Sequence, residues 1–271
     1  MSSKTQKISA LIITRNEIGY IERCIEAIVS FVDEIIVIDS FSTDGTFEYL
    51  ANHPKVIVQQ RPFSNFTDQK SHALQQASNE WVLFVDADEV VTEPLRSEIL
   101  ATVQRNPNCA AYWFYRKFMY QNSPLYFSGW QTDKNYRLFR KSKVRFTVGR
   151  LVHETLQVNG PSGKFKARLT HYCFKDYQDY RSKMLHYGLL KAKESFEKGK
   201  RFSYLKMIVK PTWKFLYNYV FRLGFLDLER GINVCYLNAL SVYKRYHEMR
   251  RLETVARLQR YTKMVRKHEL A

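Results

Sequence analysis

Two aspartates separated by one residue, Asp86 and Asp88, follow the apolar run Trp81-Val82-Leu83-Phe84-Val85. Side chains at i and i+2 of an extended segment point the same way. The spacing therefore predicts two carboxylates turned toward one divalent cation. Hard cations such as Mg²⁺ and Mn²⁺ take oxygen ligands and bridge to substrate phosphates, and open α/β sheets bind ligands beyond the carboxyl ends of their strands. A strand followed by an acidic helix cap fits the same six residues, Phe84–Glu89. Asp39 closes a second apolar run, Glu34–Asp39. There a carboxylate can accept a hydrogen bond from a base N–H or a ribose hydroxyl, or it can cap the turn that follows. Asp44, before Gly45, reads as the turn residue. The first apolar run ends in Thr14-Arg15-Asn16-Glu17 with no GxGxxG, which weighs against a nicotinamide or methyl-donor Rossmann site.

The elements that must position these groups alternate. Strands are predicted at Ile8–Thr14, Glu34–Asp39, Val56–Gln59 and Trp81–Val85, all apolar or β-branched runs bounded by polar residues. Helices are predicted at Glu17–Phe31, where Ile18, Ile21, Ile25 and Ile28 fall at helical spacing, at Thr46–Asn52 and at Asp68–Ala77. Four alternations in ninety residues imply a parallel, doubly wound α/β sheet. From Ala110 to Arg145 the pattern changes to short aromatic and basic segments, Tyr112–Arg116, Tyr136–Arg140 and Lys143–Phe146, of antiparallel character. Loops follow around Gly160 and Gly163. From Tyr177 onward the pattern is helical, with breaks predicted at Pro211 and near Gly224.

The chain has 271 residues and a formal charge of +17. From Lys200 to Ala271 there are 16 Lys and Arg against 5 Asp and Glu, a net +11, so the preceding residues carry +6. Such asymmetry points the tail toward an anionic partner, either nucleic acid or an acidic membrane surface. The four cysteines lie far apart, which is neither a disulfide framework nor a zinc pattern and favours a reducing setting. No signal-peptide pattern precedes the first strand, and no apolar stretch reaches the ~20 residues that span a bilayer. The segment from Lys206 to Arg222 mixes basic residues with bulky aromatics, as in helices that lie in a membrane interface. Packing of the aromatics within the protein is the other reading.

Ile12-Ile-Thr-Arg-Asn-Glu17, Val37-Ile-Asp-Ser-Phe-Ser-Thr-Asp-Gly-Thr46, Asp68-Gln-Lys-Ser-His-Ala-Leu74 and Glu80-Trp-Val-Leu-Phe-Val-Asp-Ala-Asp-Glu89 occur in this order. Together they resemble the nucleotide-binding half of glycosyltransferase family 2, over roughly residues 8–95. Arg137-Leu-Phe-Arg140, Val152-His-Glu154 and Arg222-Leu-Gly-Phe-Leu-Asp227 are similar to the branch of β-glucosyltransferases that build the bacterial lipopolysaccharide core. The resemblance implies a GT-A-like mixed sheet over residues 1–175, with a nucleotide-binding half (1–95) and an acceptor half (96–175). A helical, basic extension would occupy residues 176–271. It implies inverting transfer of a hexose, glucose first, from a UDP-sugar to a membrane glycolipid such as the lipopolysaccharide or lipooligosaccharide core. The place implied is the cytoplasmic face of the inner membrane.

By position, the resemblance places Thr14, Asn16, Glu17 and Asp39 around the uridine, with Lys70 approaching the nucleotide. Asp86 and Asp88 become the DxD motif on Mg²⁺ or Mn²⁺, Asp88 as metal ligand and Asp86 nearer the ribose. Ser40 stands where many relatives have a second acid, which leaves the ribose contacts there open. Displacement of a nucleoside diphosphate needs a base for the acceptor hydroxyl, and Glu154, in a loop-rich segment beside His153, is the candidate. A local His153–Glu154 pair is the alternative. Trp130, Arg137 and His153 are assigned to the acceptor side, Trp130 equally well to packing. His171, alone on a strand-like run, reads as structural unless it reaches the metal. A metal-dependent nucleotidyltransferase would also want acids beside a nucleotide. A nucleic-acid-binding protein would explain the basic tail but not Asp39, Asp86 and Asp88, and no nucleic acid partner is expected. The oligomeric state is left open.

Overall fold

A computed structural model of the chain describes residues 6–130, 134–147 and 155–269. The chain divides into two compact units. One comprises residues up to Pro124 together with Gln131–Cys173, the other Leu125–Trp130 together with Phe174 onward.

In the first unit β1 (Ile8–Thr14), β2 (Glu34–Asp39), β3 (Val56–Gln60) and β4 (Trp81–Phe84) alternate with α1 (Ile21–Ile28), α2 (Thr46–Ala51) and α3 (Phe66–Gln76). These strands run parallel in the order β3-β2-β1-β4. Every residue of β4 is buried, and so are all but one in each of β1 and β2. That is the expected result for apolar runs covered on both faces. Alternate side chains divide between two cores. Ile8, Ala10 and Ile12 pack with α1 and with Leu95, Ile99 and Val103 of α4 (Glu93–Arg105). Leu11, Ile36 and Ile38 pack with Ala73 and Leu74 of α3. Each fully buried aliphatic side chain contributes roughly 1.5–3 kcal/mol, which fixes the register of the strands and so the position of their ends. Helix α1 begins four residues later than its periodicity predicts. Tyr20 N–H donates to Glu17 O at 3.0 Å, and Gly19 has φ 85°, so residues 17–20 form a turn.

The sheet continues past β4 through β8 (Lys134–Arg140), β6 (Ala111–Tyr120), β12 (Leu169–Phe174) and β5 (Glu89–Val90). β8 lies antiparallel to both β4 and β6. β7 (Ser123–Pro124) and β11 (Ser162–Lys164) also pair with β6, and β9 (Val144–Thr147) with β10 (Thr155–Val158) forms a separate ribbon. A parallel half joined to a mainly antiparallel half, flanked by helices, is the GT-A-like mixed sheet that the resemblance implies.

The second unit is helical: α5 (Tyr177–Glu197), α6 (Tyr204–Leu216) and α7 (Leu228–Glu269). Asp176 caps α5, its side chain accepting from Asp179 N–H at 2.8 Å. Pro211 lies inside α6 and does not end it, contrary to the break predicted there. The chain leaves regular helix only afterwards, through a π-turn at Tyr217–Phe221 and a 3₁₀ turn at Gly224–Asp227. Asp227 then gathers the segment 125–130, accepting from Tyr126 N–H at 3.0 Å, Phe127 N–H at 2.9 Å and Ser128 Oγ at 3.1 Å. Among the described residues no helix is long and apolar enough to cross a membrane.

Candidate active site

The carboxyl ends of β2, β1 and β4 lie side by side. Thr14 is opposite Asp39 in the parallel register, and Val85 N–H donates to Leu11 O at 3.0 Å just beyond β4. Connections leave in opposite directions on either side of β1, which makes this the crevice where such sheets bind ligands.

Beyond β4 the chain does not stay extended. Residues 86–89 turn, with Glu89 N–H donating to Asp86 O and Asp86 N–H to Glu89 Oε2, both at 2.9 Å. The parallel projection of Asp86 and Asp88 expected from an extended i, i+2 pair is therefore not what the structure has. Asp86 meets Arg137 Nη2 at 2.5 Å and Lys70 Nζ at 3.5 Å, whereas Asp88 meets His171 Nε2 at 3.1 Å. Glu89 has no exposed surface and binds Arg137 Nη2 at 2.5 Å and Arg116 Nη1 at 3.2 Å. Two carboxylates and three cations thus form one network that joins the turn after β4 and the start of β5 to α3, β6 and β8. Burial pushes the Asp86 carboxyl up, but the Arg137 guanidinium and the Lys70 ammonium overcome it and hold the group well below the usual carboxylate range. For Glu89 burial prevails, with the Asp86 charge adding to it, and its pKa is raised.

Lys70 reaches the network because its neighbours on α3 are anchored. Asp68 accepts from Arg61 Nη1 at 2.6 Å and Nη2 at 3.1 Å, and the fully buried Gln69 donates to Ser40 Oγ at 3.1 Å. The Lys70 ammonium also lies 4.7 Å from the Phe84 ring centre. Asn16 adopts φ 57° and ties two loops together, donating from its N–H to Ser42 Oγ and accepting at Oδ1 from Thr43 N–H, both at 2.8 Å. Glu17 N–H donates to Thr46 Oγ1 at 3.0 Å. Asp39 has no exposed surface. Its carboxylate accepts from Ser42 N–H at 3.0 Å, from Ser42 Oγ, and from Gln60 Nε2 at 3.2 Å. In this arrangement the Asp39 carboxylate braces the loop that follows β2, as the capping alternative describes. Thr14 Oγ1 is buried without a hydrogen-bond partner.

Arg137, assigned above to the acceptor side, is buried and pairs with both Asp86 and Glu89. The reason is register: β8 pairs directly with β4, Leu138 opposite Leu83, which carries Arg137 alongside the end of β4. Trp130 belongs to the second unit, where its ring packs edge-on against Phe174 with centres 6.1 Å apart. Its packing role is the one observed. Glu154 and His153 lie outside the described residues. Arg116 and Glu89 are 27 positions apart, and no spacing in the sequence marks them as partners. Only the basic, aromatic character of β6 pointed there.

A divalent cation meets a partial donor set. Among the described residues no group of three or more His, Cys, Asp or Glu is placed to hold a metal ion. Asp88 supplies an oxygen and His171 a nitrogen, and the buried His171 Nδ1 has no hydrogen-bond partner.

Residues 9–155 match the model of glycosyl transferase family 2, and the chain belongs to that family of transferases. Over 263 residues it is 30% identical to the lipopolysaccharide core biosynthesis glycosyltransferase LpsC of Rhizobium meliloti, covering 88% of this chain and 93% of LpsC. An uncharacterized glycosyltransferase of Rickettsia typhi is 28% identical over 263 residues, covering 93% of this chain and 89% of its own. Among solved structures, residues 1–349 of S. aureus TarS in complex with UDP align at 16% identity and TM-score 0.47, over 91% of this chain and 92% of TarS.

Proposed function

We propose that the chain transfers a hexose, glucose first, with inversion from a UDP-sugar to a membrane glycolipid of the lipopolysaccharide-core type, working at the cytoplasmic face of the inner membrane. The observation that carries this reading is the turn Asp86–Glu89 at the carboxyl end of β4, placed beside Lys70 and Arg137 in a family 2 chain. Similarity to LpsC along most of both chains supports the acceptor class, and the net +11 tail supports a membrane surface.

In this mechanism the acceptor oxygen forms its bond to the sugar C1 as the bond from C1 to the diphosphate oxygen breaks. Glu154 takes the acceptor hydroxyl proton, a contribution of about 10²–10⁴-fold for general bases. Lys70 and Arg137 supply fixed positive charge near the departing diphosphate, the kind of preorganised electrostatics that lowers such barriers. Asp88 with His171 would hold Mg²⁺ or Mn²⁺, which when bound stabilises charge on the leaving group. Asp39 and Asn16 keep the loops of the uridine pocket in place, with Thr14 and Glu17 at its edge.

Titration with UDP, with and without Mn²⁺, tests the donor side. Metal-dependent binding that is lost in Asp88→Ala is expected, whereas binding indifferent to both removes the metal assignment. A screen across UDP-, GDP- and ADP-sugars identifies the donor. Folded Glu154→Gln should lose at least ~10²-fold in turnover, and near-normal turnover excludes Glu154 as the base.

A further inference from the structure

Helix α6 is amphipathic with its apolar face outward. Leu205, Ile208, Val209, Trp213, Leu216 and Phe221 recur at helical spacing through α6 and the π-turn, each between 42% and 71% exposed. No residue of α6 is buried. More than half of the exposed large apolar side chains among the described residues fall between Tyr204 and Tyr236. A water-facing helix normally turns such a stripe inward, and exposed apolar patches of this size mark interaction sites.

Beside the stripe, α6, the π-turn and α7 form a cavity of about 380 Å³, open to solvent, lined by Lys210, Trp213, Lys214, Tyr217, Val242, Arg245 and Tyr246. Three cations and three aromatic rings line it, with no carboxylate among its lining residues. Arg245 is steadied by a 2.8 Å hydrogen bond from Nη2 to Ser195 Oγ, and its guanidinium carbon lies 5.6 Å from the Tyr246 ring centre. The Lys214 ammonium is pushed down first by burial and then by the charges of Lys191 and Arg222. An anion entering the cavity relieves that crowding, and the aromatic rim beside the apolar stripe suits the boundary between headgroups and acyl chains.

We infer that this cavity binds the phosphate headgroup of an anionic phospholipid while the α6 stripe enters the acyl boundary of the same leaflet. The inference deepens the membrane-surface part of the proposed function and rests on it. The pairing is specific: the apolar stripe alone gives binding to any bilayer, and the cationic cavity adds selectivity for anionic lipid.

The test uses the full chain and sedimentation with two vesicle types, phosphatidylcholine alone and phosphatidylcholine with phosphatidylglycerol. The double variant Lys210→Gln/Lys214→Gln should bind the anionic vesicles about thirtyfold more weakly and keep the wild-type level on neutral ones. Lys193→Gln/Arg257→Gln removes the same charge from exposed positions outside the cavity and should lose about threefold or less. Equal losses in the two double variants overturn the cavity assignment and leave general attraction to a charged surface. A wild-type chain that sediments with neither vesicle overturns the membrane reading itself. Tighter binding of a single-stranded oligonucleotide than of anionic vesicles, abolished by the cavity variant, assigns the cavity to nucleic acid and overturns the lipid.

Discussion

The turn after β4 and the helix α6 both concentrate cations, and they treat them in opposite ways. At the turn, Arg137 and Lys70 are almost wholly buried and each has a carboxylate within 4 Å. Along α6, Lys206 and Lys210 are exposed, flanking apolar side chains that are exposed as well. Buried charge must be paired where it stands, since desolvation costs several kcal/mol per ion. Exposed charge needs no partner in the chain and remains available for one outside it. The first region is therefore built to hold a fixed geometry and the second to meet something else.

The contrast breaks most visibly at Arg137. Arg137→Met leaves Asp86 and Glu89 without their shared guanidinium and should cost about 3–5 kcal/mol, read as a lower urea midpoint with an unchanged slope. A smaller loss, about 1–3 kcal/mol, is expected for Asp227→Ala, which strips the acceptor from the N–H groups of Tyr126 and Phe127. It should appear as early hydrogen exchange confined to residues 125–130. The pH response sharpens the comparison further. The folded pKa of Asp86 is depressed, so its contribution to stability is present above the ordinary Asp value of about 3.9 and disappears as pH falls through the lower folded value. Glu89 is raised, and its contribution runs the other way, present below about 4.3 and lost as pH rises through the folded value. Replacing Asp86 by Asn should therefore flatten the loss of stability between about pH 5 and pH 3, measured by urea unfolding at each pH. The smallest effect belongs to α6. Leu205→Ser and Ile208→Ser should change stability by less than ~0.5 kcal/mol yet reduce sedimentation with neutral vesicles, whereas equally polar changes at Leu11 or Ile36 should prevent folding.

β1 and β2 could be read from the sequence to the residue, because a buried parallel strand needs a continuous apolar run and its ends are marked by polar residues. Periodicity places α1 with ragged ends, since Ile18 continues the period but Gly19 turns the chain. The acid pair is legible in the sequence and its geometry is not. Spacing shows which residues are near one another along the chain, but it does not show that Asp86 and Glu89 close a turn on themselves. The partners Arg116 and His171 come from strands 27 and 83 positions away from the acids they meet, contacts that only strand pairing creates. In the tail the apolar period of α6 was visible, but periodicity alone does not say whether a stripe faces inward or outward. Proline removes a helix hydrogen bond and so predicts a break at Pro211, yet α6 continues through it.

The start of α7 has a consequence for recognising relatives of this chain. A methyl group at Gly231 would lie 1.8 Å from Gly224 O and 3.0 Å from Asp227 Cβ, so the first turn of that helix rests directly on the turn before it. No other amino acid fits there without moving backbone. A descendant that keeps this joint must keep glycine at its seventh position after Gly224, with an acid between the two. Gly-x-x-Asp-x-x-x-Gly thus serves as a spelling test for the C-terminal unit, applicable to any genome before its sugar or acceptor is known.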